Sequence, residues 1–153
     1  MPKLSAGIVL FRRRESGVEV FLVHPGGPFW KNKDSGAWSI PKGEYASGED
    51  PAAAARREFE EETGFACPSG EPVPLGEVKQ PGGKMVTAFA LEGDCAADTI
   101  RSNFFELEWP PRSGKTQPFP EVDRAGWFAL PQARIKLLAG QHPFLDRLAE
   151  LVR

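Results

Sequence analysis

Gly43-Glu44-Tyr45-Ala46-Ser47-Gly48-Glu49-Asp50-Pro51-Ala52-Ala53-Ala54-Ala55-Arg56-Arg57-Glu58-Phe59-Glu60-Glu61-Glu62-Thr63-Gly64-Phe65 reads as a loop that enters a helix and a turn that leaves it. Asp50 before Pro51 matches an N-cap with proline at the first helical position, and Gly64 is placed for the left-handed residue beyond the end. The spacing therefore predicts a helix from about Pro51 to Thr63. Ala52, Ala55 and Phe59 fall on one side at spacings of three and four, a stripe that faces a core. Glu58 lies three and four residues from Glu61 and Glu62, so three carboxylates share an arc beside that stripe. They repel one another, and they crowd the last turns, where the macrodipole disfavours each acid by roughly 0.3 to 1 kcal/mol. A helix charged against its own stability points to a gain at a functional site, and a hard divalent cation would turn the repulsion into ligation. Magnesium is the natural candidate, with manganese as a substitute, because it takes carboxylate oxygens, keeps several waters and shares substrate phosphates. The competing reading is a solvated acidic face.

Outward from this helix the chain alternates strand and helix signals. The runs Leu4 to Arg13 and Val18 to Pro25 are β-rich and flank a hairpin turn at Arg14-Glu15-Ser16-Gly17. Gly26 to Gly36 is a glycine-rich polar loop that carries two aromatics, Phe29 and Trp30, and it leads into a short strand at Trp38-Ser39-Ile40. Beyond the helix, Leu75 to Lys79, Met85 to Leu91 and the alternating Phe105-Glu106-Leu107-Glu108-Trp109 are expected to continue the sheet. Pro131 and Pro143 each open a further helix. Strands mixed with three helices in this order predict an α/β fold class, an α/β/α sandwich around a central mixed β-sheet.

Length and composition agree with that outline. The 153 residues suit a single domain, 1–153, able to bury about two-thirds of its unfolded surface. With 41% hydrophobic and 26% charged residues the chain is an ordinary globular sequence, neither disordered nor membrane-spanning. A net charge of -2 excludes the broad basic face of a nucleic-acid binder, so phosphate must be met locally. The apolar run Ala6 to Phe11 is too short for a membrane span or a signal-peptide core, which leads to an expected cytoplasmic location. Cys67 and Cys95 have no metal-ligand spacing and read as free thiols. His24 and His142 stand alone beside prolines and read as structural.

From Gly43, five residues lead to Glu49, seven more to Arg57-Glu58, then Phe59, Glu60, Glu61-Glu62, Thr63, Gly64 and Phe65. This resembles the complete Nudix box, Gly-x5-Glu-x7-Arg-Glu-apolar-x-Glu-Glu-x-Gly-apolar, with all nine constrained positions filled within 23 residues. Ala37 to Gly43 is similar to the family's entry into the box, and Val122 to Leu130 to its closing strand. The resemblance implies that Glu58, Glu61 and Glu62 are metal ligands, that the Gly43 carbonyl adds another, and that Gly43 and Gly64 make the flanking turns. Arg57 would orient the neighbouring carboxylates while Glu49 secures the loop against the helix; a plain helical ion pair between Arg57 and Glu61 is compatible with that. Glu121, outside the box, is either an additional metal-binding or basic glutamate or an ordinary loop residue. The general base is then Glu58 or Glu121, and spacing does not choose between them. Lys42 is a phosphate contact or a solvated strand-end lysine. Phe29 and Trp30 are the expected base-stacking aromatics, while Trp38 and Trp127 are expected in the core.

The resemblance implies a magnesium-dependent pyrophosphohydrolase acting on a nucleotide as monomer or homodimer, with dinucleoside polyphosphates such as diadenosine tetraphosphate, or nucleoside triphosphates, as first candidates. The tyrosine that several such enzymes carry after the box is missing: Tyr45 is the chain's only tyrosine, and Gln80-Pro81-Gly82 fills that region. A proline there is reminiscent of ADP-ribose pyrophosphatases. Nucleotide sugars and an RNA 5′ end are further alternatives, and a nucleotide-sensing module without catalysis is the alternative of a different class.

Overall fold

The computed structural model describes residues 3–153. Strand β1 (Leu4–Arg14) turns through a tight hairpin into β2 (Gly17–Pro25), with Gly17 at positive φ. Side chains alternate across β1, and both faces are covered. Ala6, Ile8 and Leu10 pack with Ala54, Ala55 and Phe59 of α1 (Pro51–Thr63). Val9 and Phe11 point the other way, into a cluster with Phe144, Leu145 and Leu148 of α3 (His142–Leu151). The expected α/β/α layering follows from that two-sided burial.

The sheet is mixed. It runs β4 (Val73–Lys79), β5 (Met85–Glu92), β1, β2, β8 (Val122–Ala129), with β3 (Lys42–Glu44) attached to β1. β5 lies parallel along one edge of β1 from Leu4 to Phe11. The other edge is shared: β3 pairs with Ser5 to Gly7, and β2 pairs with Phe11 to Arg14. The sheet is thus split between β2 and β3.

Trp38 to Ile40 crosses that split and is not the strand expected from sequence. It makes single bridges, Ser39 to Val23 and Trp38 to Leu137. Buried Gln141 holds it, accepting from the Ile40 N–H at 3.0 Å and donating to Ser39 Oγ at 3.0 Å. Two partners in different directions prevent a continuous ladder, so strand pairing resumes only after Pro41.

A second correction concerns Phe105 to Trp109. The strand exists as β6 (Phe104–Glu108), but it pairs with β7 (Thr116–Pro120) in a separate two-stranded ribbon and does not extend the central sheet. α1 has the predicted bounds: Asp50 accepts from the Ala53 N–H at 3.0 Å, and Gly64 closes the helix at φ 78° by donating to Glu60 O. A cap of this kind contributes about 1 kcal/mol. The buried stripe is Ala54, Ala55, Phe59 and Thr63, so Ala54 takes the central place expected for Ala52, which is only partly buried. Phe59 is fully buried against Phe21, ring centroids 6.2 Å apart, and anchors the acidic helix to the sheet. Pro131 and Pro143 stand in the first turns of α2 (Leu130–Lys136) and α3 as expected. No helix among the described residues is long and apolar enough to cross a membrane.

Candidate active site

With Phe59 held in the core, the helical repeat carries Glu58, Glu61 and Glu62 to the side of α1 that faces β3. Gly43 makes that approach possible. A methyl group on its Cα would collide with the Glu58 side chain, so a larger residue would push that carboxylate out of its present position. Arg57 grips the same carboxylate from behind, donating to Glu58 Oε1 at 3.1 Å and to Glu49, with Glu61 at 3.9 Å. Glu49 accepts in turn from the Ala46 N–H, which ties the incoming loop to the helix. Arg57 and Glu49 thus link Glu58 to the loop that enters the helix.

The acids open into a cleft of about 410 Å³ lined by Lys42, Gly43, Glu44, Glu58, Glu61, Glu62, Glu121, Ser5, Lys84 and Asn103. Glu121 comes from the junction of β7 and β8 and is fixed through its backbone, its N–H on Asn103 O at 2.8 Å and its carbonyl on the Gly26 N–H at 3.0 Å. The sixty-residue separation in sequence thus closes to one cleft.

Burial sets the electrostatics. It pushes the Glu62 carboxyl up to about 8, against the pull of the Lys42 charge and the Lys42 N–H, which Glu62 accepts at 3.3 Å; Glu121 and Glu58 add repulsion. Burial also raises Glu58, opposed by its bond to Arg57. Lys42 is pushed down, first by burial and then by the neighbouring charge of Lys84. A protein-only cleft that disfavours charge on its own acids is one in which a cation would be stabilising.

A smaller, apolar hollow of about 180 Å³ opens beside the cleft and shares Lys42, Glu62 and Glu121 with it. Trp30, Val23, Pro25, Ala37, Val122 and Leu138 form its walls. The loop that carries Trp30 is pinned by fully buried His24, whose Nε2 lies 2.6 Å from Lys33 O and whose Nδ1 lies 2.8 Å from Asp123. His24 is thereby structural. Phe29 stands apart: it is 60% exposed and packs edge-on against Trp109, centroids 5.6 Å apart, outside the hollow. Trp38 is buried and Trp127 half-buried against Phe21.

A sequence model of the NUDIX domain matches residues 1–148. The chain belongs to the Nudix family. Among solved structures, a C. elegans Ap4A hydrolase binary complex is 19% identical with a TM-score of 0.64, covering 98% of this chain and 97% of that one. The Nudix domain of Shewanella oneidensis NrtR, complexed with ADP ribose, is 18% identical with a TM-score of 0.69 over 100% and 90%. A Nudix hydrolase from M. smegmatis, RenU, is 26% identical with a TM-score of 0.55 over 97% and 84%. Comparison with curated proteins gave no significant match. The two likenesses below 25% identity speak to the Nudix fold. Family membership rests on the sequence model, and the structural likenesses add the shared fold.

The Nudix cleft can be tested for a divalent cation on its own atoms. Among the described residues no three acidic, histidine or cysteine groups gather around one ion-sized point. Five carboxylates, those of Glu44, Glu58, Glu61, Glu62 and Glu121, nonetheless line one cleft, and Gly43 leaves room that a Cβ would fill. That oxygen-only donor set fits magnesium, which binds through one or two carboxylates and keeps water and phosphate oxygens for the rest. Ser5, Lys84, Asn103 and Glu44 were not singled out from sequence. Glu44 follows the box glycine directly and was open to notice; the others reach the cleft only through strand register and loop closure.

Proposed function

We propose that this Nudix domain, taken as residues 1–153, is a cytoplasmic, magnesium-dependent pyrophosphohydrolase, active with manganese, that cuts a phosphoric anhydride in a nucleoside diphosphate derivative. Dinucleoside polyphosphates and nucleoside triphosphates are its first candidate substrates. The observation that carries this reading is the shared wall: Lys42, Glu62 and Glu121 line both the acidic cleft and the apolar hollow. A nucleotide has the same two-part character, a charged phosphate chain joined to a flat apolar base.

In this reading Glu58, Glu61, Glu62 and Glu121, with the Gly43 carbonyl, hold the cation, which neutralises phosphate charge and lowers the pKa of water. Lys42 contacts a phosphate where cleft and hollow meet. Trp30 offers its face to the base. As a water oxygen bonds to phosphorus, Glu58 or Glu121 takes the proton, the anhydride P–O bond breaks, and the leaving phosphate carries away the electron pair. Arg57 keeps the Glu58 carboxylate aimed at the cleft throughout. Phe29, outside the hollow, is left with packing on Trp109 rather than stacking on a base.

ADP-ribose is the second reading, favoured by the Gln80-Pro81-Gly82 turn before β5 and by the ADP ribose bound in the NrtR neighbour. Release of mononucleotide from diadenosine polyphosphates, nucleoside triphosphates, ADP-ribose, nucleotide sugars and a 5′-triphosphorylated RNA, with and without magnesium, tests the proposal. Magnesium-dependent release from one of them is expected; binding without release from any would leave a nucleotide-sensing module instead. Sedimentation of the same sample distinguishes monomer from homodimer.

A further inference from the structure

The Glu58 carboxylate is aimed by Arg57. Among the described residues no side chain donates to the Glu121 carboxylate in that way, so its place in the cleft is set by the main chain that carries it. That main chain leads back to α1. Asn103 and Glu121 stand one pair beyond Phe104 and Pro120 at the end of the β6–β7 ladder. An antiparallel pair can exchange two hydrogen bonds, yet only one is made, from the Glu121 N–H to Asn103 O at 2.8 Å. The Asn103 N–H turns instead to Glu61 O at 3.3 Å, and the Arg101 N–H to Thr63 O at 2.8 Å. Both acceptors are carbonyls of the last turn of α1, which have no partner inside the helix. Two hydrogen bonds and one residue therefore join the main chains of Glu61 and Glu121. The segment runs hard against the end of the helix: a Cβ on Gly64 would lie 2.8 Å from Arg101 O.

Ser102 closes this clasp. Its hydroxyl accepts from the Val122 N–H at 3.0 Å and lies 3.1 Å from Val122 O and 3.0 Å from Asn103 O, the two acceptors open to its single proton. Val122 follows Glu121 directly, is 4% exposed and packs in the core beneath α1. Its partner in β2 is Pro25, which has no N–H to give. A serine side chain thus stands in for a strand neighbour at the residue beside Glu121. Both peptide units that flank the Glu121 Cα are pinned as a result. The preceding one is held at its N–H by Asn103, and the following one is held at its carbonyl by Gly26 and at its N–H by Ser102. Ser102 is the one side chain among these partners, and so the one that a substitution can remove.

We propose that Ser102 is a positioning residue for Glu121: its hydroxyl locks the Glu121 segment to the strip of chain bonded to the end of α1, and so sets where the Glu121 carboxylate stands relative to the helix acids. This rests on the cleft being the anhydride site, with Glu121 serving there as base or as metal ligand.

The test is a double-mutant cycle of Ser102→Ala with Glu121→Gln in the full chain. It is read by kcat and KM on a nucleotide that wild type hydrolyses, by manganese affinity from calorimetry without nucleotide, and by melting temperature. With Glu121 intact, Ser102→Ala should lower kcat or manganese affinity about tenfold, according to whether Glu121 is base or ligand, and leave KM within about twofold. In the Glu121→Gln background the same change should cost less than about twofold, because no carboxylate is left to misplace. Melting temperature should fall equally in both backgrounds, which separates positioning from loss of stability. Ser102→Cys, close in size but a weak donor and acceptor, should repeat the result and replaces Ser102→Ala if that variant does not fold. Ser102→Thr keeps the hydroxyl, and a cavity of about 300 Å³ beside Ser102 leaves room for its methyl group; it should stay within about threefold of wild type. Equal losses in both backgrounds, no loss in either, or a Ser102→Thr loss as large as that of Ser102→Ala overturns the proposal. If no nucleotide is hydrolysed while the manganese cycle is non-additive, the hydrolase reading fails and the positioning role survives. If a nucleotide is hydrolysed and both cycles are additive, the positioning role fails and the hydrolase reading survives.

Discussion

The cleft and the hollow share three residues yet are built on opposite plans. The cleft takes three of its five acids from one rigid helix, anchored by Phe59 and capped at both ends, with Glu44 and Glu121 added from outside it. The hollow is assembled from four separate stretches of chain, and its one large aromatic, Trp30, lies in a glycine-rich loop. Chemistry that depends on sub-ångström placement is on the stiff element, while recognition is on loops held at a few points. The contrast teaches that rate and selectivity should separate under mutation.

The largest effect is expected at Glu58. Glu58→Gln should lower kcat about 10²- to 10⁴-fold, the usual worth of a general base, with KM little changed; near wild-type turnover at saturating magnesium would pass the proton to Glu121. Gly43→Ala tests the stiffness of the cleft. Its methyl group must displace the Glu58 carboxylate, and magnesium affinity, read from the metal-induced rise in melting temperature, should drop roughly 10- to 100-fold, as when an orienting partner of a ligand is lost. In the hollow, Trp30→Ala should instead raise KM for the nucleotide about tenfold at nearly constant kcat, since stacking is worth about 1 to 3 kcal/mol per base. A fall in kcat with KM unchanged would break the division between the two regions.

A smaller effect follows from burial at Glu62. Its carboxyl is raised to about 8 from 4.5, so the folded state favours the neutral form. That contribution to stability is present in full below pH 4.5 and is lost as pH climbs through about 8. The metal-free protein should lose a few degrees of melting temperature across that window, and magnesium, by displacing the proton, should restore more at high pH than at low. A metal shift independent of pH between 5 and 8.5 would show that Glu62 does not face the cation. The smallest effect is assigned to Phe29→Ala, with kcat and KM within about twofold of wild type, because the ring packs on Trp109 at the surface.

The same contrast explains what the sequence could disclose. Helix α1 was legible to the residue because Asp50-Pro51 and Gly64 are local stop and start chemistry, and the acids were legible because helical spacing is fixed. The shift of the buried stripe from Ala52 to Ala54 was not, since four alanines in succession leave the phase of the stripe to tertiary packing. β7 was missed because Thr116-Gln117-Pro118-Phe119-Pro120 holds two prolines, which argue against a strand. It forms because the ribbon has only two strands, so the edge that prolines leave without donors needs no partner. Ser5 and Lys84 carry no local signal; only the pairing of β1 with β5 makes them neighbours.

Glu121 is tethered at the base of the β6–β7 ribbon, to Asn103 on one side and Gly26 on the other. The ribbon's tip, Trp109 to Lys115, lies beyond that clasp. Residues can be inserted or exchanged at the tip without changing the length of chain between the clasp and the cleft. The fold thus leaves one loop open to divergence at the far end of the ribbon from a carboxylate it keeps fixed, and a chain with a longer or shorter tip should keep Glu121 in the same place.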